Sequence, residues 1–171
     1  MEDALYTRVL QYLNIRPRSE KEIRDYIKKQ LVKPKVAKYI QEDFGVLTNR
    51  LVNRLKSAKF LNDLEFAMWF IRSRTNFKPK GRRLISLELQ QKGISKELID
   101  EAFVAFDKDQ VDHFEDKRDE VGLAKELLEK KRKKYEGMER HERFNKAGSM
   151  LARRGFDLDT IKQAIDAVFG K

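Results

Sequence analysis

The residues that could support catalysis or bind a metal ion do not form a recognisable site. His141 precedes Glu142, as in the zinc motif His-Glu-x-x-His, but the position four residues after His141 is Asn145. The motif needs two histidines on one helix face, and the second is missing. The other histidine, His113, lies among Asp and Glu residues in a stretch predicted to be a solvated linker, where ligands would not converge. We therefore predict no bound metal ion.

Nucleotide-binding loops and reactive thiols are missing as well. The eight glycines form neither G-x-x-x-x-G-K nor G-x-G-x-x-G, the two spacings that hold phosphates against backbone amides. There is no cysteine, which excludes disulfides and thiolate–metal sites. Carboxylates are plentiful, but no spacing singles out a catalytic pair. The sequence predicts a binding protein rather than an enzyme, and no cofactor.

Arginine and lysine are the residues that indicate a function. The formal net charge of +10 favours nucleic acid, or a nucleoprotein, as the partner. Long cationic side chains beside a helix N-terminus can neutralise phosphates. The predicted binding residues are Arg16, Arg18, Arg72, Arg74, Lys78, Lys80, Arg82, Arg83, Lys92, Arg153 and Arg154. A solvated face with intrahelical ion pairs is the alternative interpretation of each cluster.

These cations recur at equivalent positions of a repeated unit. The segment from Arg16 to Ser19 matches that from Lys78 to Gly81, and the segment from Gln91 to Ser95 matches that from Arg153 to Asp157, each at an offset of 62 residues. Recurrence at one point of successive units favours a function over incidental charge. It also predicts an array of small helical modules with an elongated surface, rather than one globular core.

The modules are predicted to be all-α, with three helices in each, because apolar residues recur at helical spacing and no run alternates with period two for long. The predicted first repeat is 1–61, with an inserted segment at 31–46. The second repeat is 62–107, an acidic linker follows at 108–120, and the third repeat is 121–171. Phe66, Trp69 and Phe70 have the spacing of a buried stripe, which we favour over a stacking platform for bases.

Local signals place several helix ends. Ser19 and Glu22 have the spacing of a capping box. Asn62 and Ser95 are predicted N-caps, and Gly93 is predicted to end its helix in a left-handed conformation.

A run of five basic residues, 130–134, is predicted to close the helix from Val121 to Tyr135. Cations are favourable at a helix C-terminus because they face the negative end of the helix dipole. The run is therefore predicted to form the last turns of that helix.

The sequence offers no membrane or secretory signal. The longest apolar run, Phe66 to Ile71, has six residues, against the roughly 20 that span a bilayer. The start, Met1 to Asp3, is acidic and lacks an apolar signal region. We expect a cytoplasmic protein with no membrane partner. We also expect a monomer, because the apolar stripes are used within the repeats.

The chain resembles the RecX family, regulatory proteins of the RecA recombinase. The resemblance rests on Arg16 to Ile23 in the first repeat and on Leu151 to Asp157 in the third. In the second repeat it rests on Phe60 to Ala67, Arg72 to Arg74 and Gly81 to Ile94. It covers about residues 4–169 and is most specific in the second repeat.

The resemblance implies three tandem three-helix repeats in an elongated, curved array. It also implies a non-catalytic protein of DNA repair and recombination. Such a protein binds the RecA filament on single-stranded DNA and inhibits its extension, ATPase, coprotease and strand-exchange activities. The chain departs from the family pattern at Lys59, where glycine is common, at Asn62, where aspartate is common, and in the longer 31–46 segment.

A second interpretation stays open. Three-helix units with basic second helices also resemble helix-turn-helix domains, so the chain could be a general DNA-binding module without a protein partner. That module would bind naked DNA with a steep dependence on salt.

Overall fold

All regular structure is helical in the computed structural model, which describes residues 2–37, 42–76, 79–113 and 119–170. No strand occurs in those ranges, so the all-α prediction is confirmed. In chain order the helices are α1 (Glu2–Ile15), α2 (Glu20–Leu31), α3 (Pro34–Ala37), α4 (Phe44–Ser57), α5 (Asp63–Asn76), α6 (Arg82–Gln91), α7 (Lys96–His113), α8 (Glu120–Glu129), α9 (Arg132–Tyr135), α10 (Arg140–Ala152) and α11 (Leu158–Phe169).

The chain forms two compact units. Unit 1 comprises residues 1–69 and 90–102, and unit 2 comprises residues 70–89 and 103–171. The borders fall within α5, α6 and α7, so the second repeat contributes residues to both units. The repeats are therefore not three separate globules, while the elongated, curved shape stays a prediction.

The core of unit 1 joins α1, α2 and α4. The side chains of Val9, Ile23, Ile27, Leu51 and Leu55 are completely buried in it. The predicted inserted segment at 31–46 holds α3 and the beginning of α4. Residues 38–41 of that segment lie outside the described ranges.

The core of unit 2 includes residues of α8, α10 and α11. Leu128, Leu151 and Ala164 are completely buried in it, and Tyr135 is 2% exposed. No helix in the described ranges has the length and apolar character needed to cross a membrane.

The predicted caps are confirmed. Ser19 Oγ accepts from the backbone N–H of Glu22, and the Glu22 carboxylate accepts from that of Ser19. Asn62 Oδ1 accepts from Leu64 and Glu65 at 3.0 and 3.3 Å, and Ser95 Oγ accepts from Leu98 at 3.2 Å. Gly93 has a φ of 84°. Each cap satisfies a donor or acceptor that a helix end leaves free.

The predicted helix from Val121 to Tyr135 is wrong as one element. Helix α8 ends at Glu129, and Lys131, with φ −120° and ψ 13°, separates it from α9. Five cations in one helix would place like charges three and four residues apart, which is destabilising. The break also allows Tyr135 to reach the core of unit 2.

The predicted acidic linker at 108–120 is shorter than expected, because α7 continues to His113. Asp107 and Asp109 lie on that helix and pair with Arg82 and Arg72, contacts that favour its continuation. Residues 114–118 and the side chain of His113 lie outside the described part. Asp119 is the N-cap of α8 and accepts from the N–H of Gly122 at 2.7 Å.

Candidate nucleic-acid interface

Unit 1 contains a junction between the first and second repeats, at the beginning of α2. Ser19 Oγ donates to the carbonyl oxygen of Lys92 at 2.7 Å. The backbone N–H of Glu20 donates to Asp63 Oδ1 at 2.8 Å. The first helical amide of α2 is therefore satisfied by a side chain from α5, the first helix of the next repeat.

Unit 2 contains the same junction between the second and third repeats, at the beginning of α6. The backbone N–H of Gly81 donates to the carbonyl oxygen of Arg154 at 2.8 Å. The N–H of Arg82 donates to Glu120 Oε1 at 2.9 Å, and Glu120 is the first residue of α8.

Three of the four residues of each junction correspond position by position, while the carboxylates Asp63 and Glu120 lie 57 residues apart. Gly81, Arg82 and Arg154 follow Ser19, Glu20 and Lys92 by 62 residues. The repeat found in the sequence is thus a repeat of contacts, with a carboxylate at the beginning of one repeat capping the second helix of the preceding one.

Close packing of glycines brings two basic segments together in unit 2. A Cβ atom added to Gly81 would lie 2.3 Å from the carbonyl oxygen of Gly155, and one added to Gly155 would lie 2.4 Å from Leu84 Cβ. Gly155 also has a φ of 88°, which L-residues rarely adopt. These contacts hold residues 81–84 directly against residues 154–155.

The junction carboxylates are held in surroundings that oppose their charge. Burial raises the pKa of Asp63, and hydrogen bonding to the N–H of Glu20 only partly offsets it. Burial likewise raises the pKa of Glu120 against hydrogen bonding from Arg82. Both groups contribute to structure, because each accepts a backbone amide that would otherwise have no intrahelical acceptor.

Four of the eight predicted binding residues of unit 2 are paired with carboxylates in the described part of the chain. Arg72 lies 2.5 Å from Asp109, and Arg82 lies 2.7 Å from Asp107. Arg74 and Lys80 share Glu88. The sequence analysis missed Asp107 and Asp109 as partners, because residues 25 to 37 positions apart have no spacing signal before the fold is known.

Two of the predicted residues present unpaired charge. Arg83 and Arg153 are exposed, and their guanidinium groups make no hydrogen bond or ion pair with the residues that the structure describes. Arg154 is partly buried and donates to the carbonyl oxygen of Pro79 at 3.2 Å. Lys78 lies outside the described ranges.

The predicted residues of unit 1 are tied to their own surroundings. Arg16 and Lys92 both bind Glu22, at 2.8 and 2.9 Å. The guanidinium carbon of Arg18 lies 3.9 Å from the centroid of the Tyr12 ring. These contacts favour the alternative interpretation of this cluster, in which the cations stabilise the fold.

Aromatic side chains follow the buried-stripe prediction. Phe66 and Phe70 are 1% and 3% exposed, and Trp69 is partly buried and packs against Phe66. Within the described residues, no group of three or more His, Asp or Glu side chains could hold a metal ion.

Comparison with known proteins identifies the family. The models for the first, second and third three-helix domains of RecX match residues 6–40, 62–102 and 119–165. Regulatory protein RecX of Prosthecochloris aestuarii is 32% identical over 159 residues, covering 93% of this chain and 89% of that protein. The chain belongs to the RecX family. The predicted membership and the three-helix repeats are thereby confirmed.

Other RecX proteins are longer than the matched region. Regulatory protein RecX of Bacillus subtilis is 33% identical over 163 residues, which cover 95% of this chain but 54% of that protein. The chain thus spans about half the length of this relative. The crystal structure of RecX from Lactobacillus salivarius has a TM-score of 0.74 at 24% identity and covers 98% of this chain and 96% of its own. That likeness shows the shared RecX fold.

Proposed function

We propose that this chain binds the filament that RecA forms on single-stranded DNA. It inhibits the filament's extension, ATPase, coprotease and strand-exchange activities without catalysis of its own. Its place of action is the cytoplasm. The regulatory names of its relatives support a role towards RecA, and the basic surface supports contact with a nucleoprotein.

The observation that carries the proposal is the junction of unit 2. It holds the segment with Arg82 and Arg83 against the segment with Arg153 and Arg154. Arg83 and Arg153 have exposed side chains without a carboxylate partner among the described residues. Phosphates would supply the missing anions, and displaced counterions would favour binding.

The cations of unit 2 that are paired with carboxylates also belong to the proposed face. The side chains of Arg72 and Arg82 are 50% and 48% exposed in their ion pairs. A single exposed pair such as that of Arg72 contributes little to stability, so a phosphate can replace its carboxylate at small cost. Arg82 contacts both oxygens of Asp107 and lies over the Phe103 ring, so its replacement costs more. Arg74, Lys80 and Arg154 stay in the proposed face, and the binding role of Lys78, outside the described ranges, stays a prediction from the sequence. Arg16, Arg18 and Lys92 act mainly through the fold of unit 1.

The test is RecA ATP hydrolysis on single-stranded DNA during titration with this chain. We expect inhibition at amounts well below stoichiometry with RecA. Charge reversal at Arg83→Glu and Arg153→Glu should shift the inhibition curve to at least tenfold higher concentration, with an unchanged helical circular dichroism spectrum. Lys125→Glu and Lys162→Glu are the matched control, because both lysines are exposed and unpaired within the described residues.

A general DNA-binding module is the competing function, favoured by the same exposed arginines. It predicts inhibition only when the chain saturates the DNA, at matched salt. Inhibition of that kind, or an unchanged curve for the doubly reversed variant, would reject the proposed filament face.

A further inference from the structure

The basic turn (residues 130–134, which are the turn after α8 and the first three residues of α9) is a cationic projection that the proposed face does not include. Helix α8 ends at Glu129, and residues 130–134 are all exposed. Tyr135, which follows them, is 2% exposed in the core of unit 2. The buried Tyr135 ring therefore anchors the turn to the core, while the side chains of residues 130–134 are exposed to solvent.

Among the described residues, two of these five cations have carboxylate partners. Lys130 lies 2.7 Å from Glu126, and Arg132 lies 3.6 and 3.7 Å from Glu129 and Glu136. Lys131, Lys133 and Lys134 make no ion pair with the described residues. Lys134 Nζ has one aromatic contact, 5.8 Å from the centroid of the Tyr135 ring. Three like charges thus lie within four residues without an ion-pair partner among the described residues.

The corresponding connections of the other repeats are different. Between α1 and α2, Arg16 is held by Glu22 and Arg18 by the Tyr12 ring. Between α5 and α6, Lys80 is held by Glu88. All three connections from the first to the second helix of a repeat carry cations. The third leaves most of its described cations without an internal anion.

We propose that this turn, defined by Lys131, Lys133 and Lys134, binds the sugar–phosphate backbone of a nucleic acid. Flexible lysines without a surrounding pocket act as point charges, which suit a repeated, uniform anion better than a shaped acidic protein surface. Insertion into a lipid bilayer is disfavoured, because the described turn exposes no large apolar side chain. The contact does not depend on sequence and does not require RecA.

The test measures binding of this chain to a fluorescent single-stranded oligothymidylate, without RecA, over a series of salt concentrations. The triple variant Lys131→Ala, Lys133→Ala and Lys134→Ala removes three phosphate contacts. Its slope of log affinity against log salt should therefore be smaller by about 2. The triple variant Lys28→Ala, Lys29→Ala and Lys125→Ala is the control, because it removes the same charge from exposed, unpaired helical positions and should leave the slope nearly unchanged.

Equal slopes for the two triple variants would overturn the proposal, because the effect would then be one of net charge. A turn variant that keeps the full slope but loses inhibition of RecA would also overturn it, since the turn would then face protein. An unchanged inhibition curve for the Arg83→Glu and Arg153→Glu variant would reject the proposed filament face without affecting this proposal, because inhibition is measured in the RecA assay and the salt slope is measured without RecA.

Discussion

Glu22 is the residue at which three interactions meet. Its carboxylate binds Arg16 and Lys92 and accepts the backbone N–H of Ser19. Burial opposes its charge, but the hydrogen bonds of Arg16, Lys92 and Ser19 together lower its pKa from 4.5 to about 2. One carboxylate thus joins the first repeat to the turn after α6, and two of the predicted binding residues serve this contact.

The pKa of Glu22 predicts how stability depends on pH. A carboxyl whose pKa is lowered by folding stabilises the fold above its unfolded pKa, and this contribution is lost as pH falls from 4.5 towards 2. We expect Glu22→Gln to lower the free energy of unfolding by about 2 kcal/mol at pH 7, and by much less near pH 2. Urea unfolding at both pH values measures the difference.

The control for that experiment is Glu142→Gln. Glu142 forms an exposed pair with Lys146, four residues away on α10, and its loss should cost no more than about 0.5 kcal/mol. A Glu22→Gln variant with the same small loss at both pH values would contradict the role of Glu22.

At the scale of elements, Gly155 and Gly137 allow a direct comparison. Both have positive φ, 88° and 82°, but a Cβ on Gly137 would have nothing within 4 Å, whereas one on Gly155 would collide with Leu84. Gly137→Ala should therefore cost only the backbone strain, about 1–2 kcal/mol. Gly155→Ala should cost at least about 2 kcal/mol more through the overlap, and it should also weaken RecA inhibition. Chemical denaturation of both variants measures this, and equal losses would disprove the close packing.

Short-range signals in the sequence were sufficient for many of the elements. Ser19 with Glu22, Asn62, Ser95 and Gly93 each act within about four residues, and the structure places each as predicted. The end of α8 and the length of α7 could not be predicted in this way. They depend on the burial of Tyr135 and on the pairing of Asp107 and Asp109 with distant arginines.

The sequence predicted which types of residue form the candidate site, but it did not predict how those residues are paired in the fold. The repeat offset correctly indicated that Lys92 and Arg154 occupy equivalent positions. Which cations remain unpaired, such as Arg83 and Arg153, depends on carboxylates from other helices. The sequence alone therefore identified a basic surface without separating its free cations from its structural ones.

At the scale of the whole molecule, the two junctions are independent contacts of the same design. Asp63→Ala and Glu120→Ala each remove the acceptor of a first-turn amide and should each lower the free energy of unfolding by about 1–2 kcal/mol. Because the junctions share no residue, the losses should add in the double variant. Urea unfolding of the four proteins measures this, and a strongly non-additive result would show that the junctions are coupled.

The junction amides also have a consequence for exchange with solvent. First-turn amides of a helix usually exchange their hydrogens quickly, because no carbonyl of the same helix accepts them. The amides of Glu20 and Arg82 are instead bound by carboxylates from the following repeat. Their deuterium uptake therefore depends on the separation of neighbouring repeats rather than on the fraying of α2 and α6. The exchange rates of these two amides measure how often each junction opens.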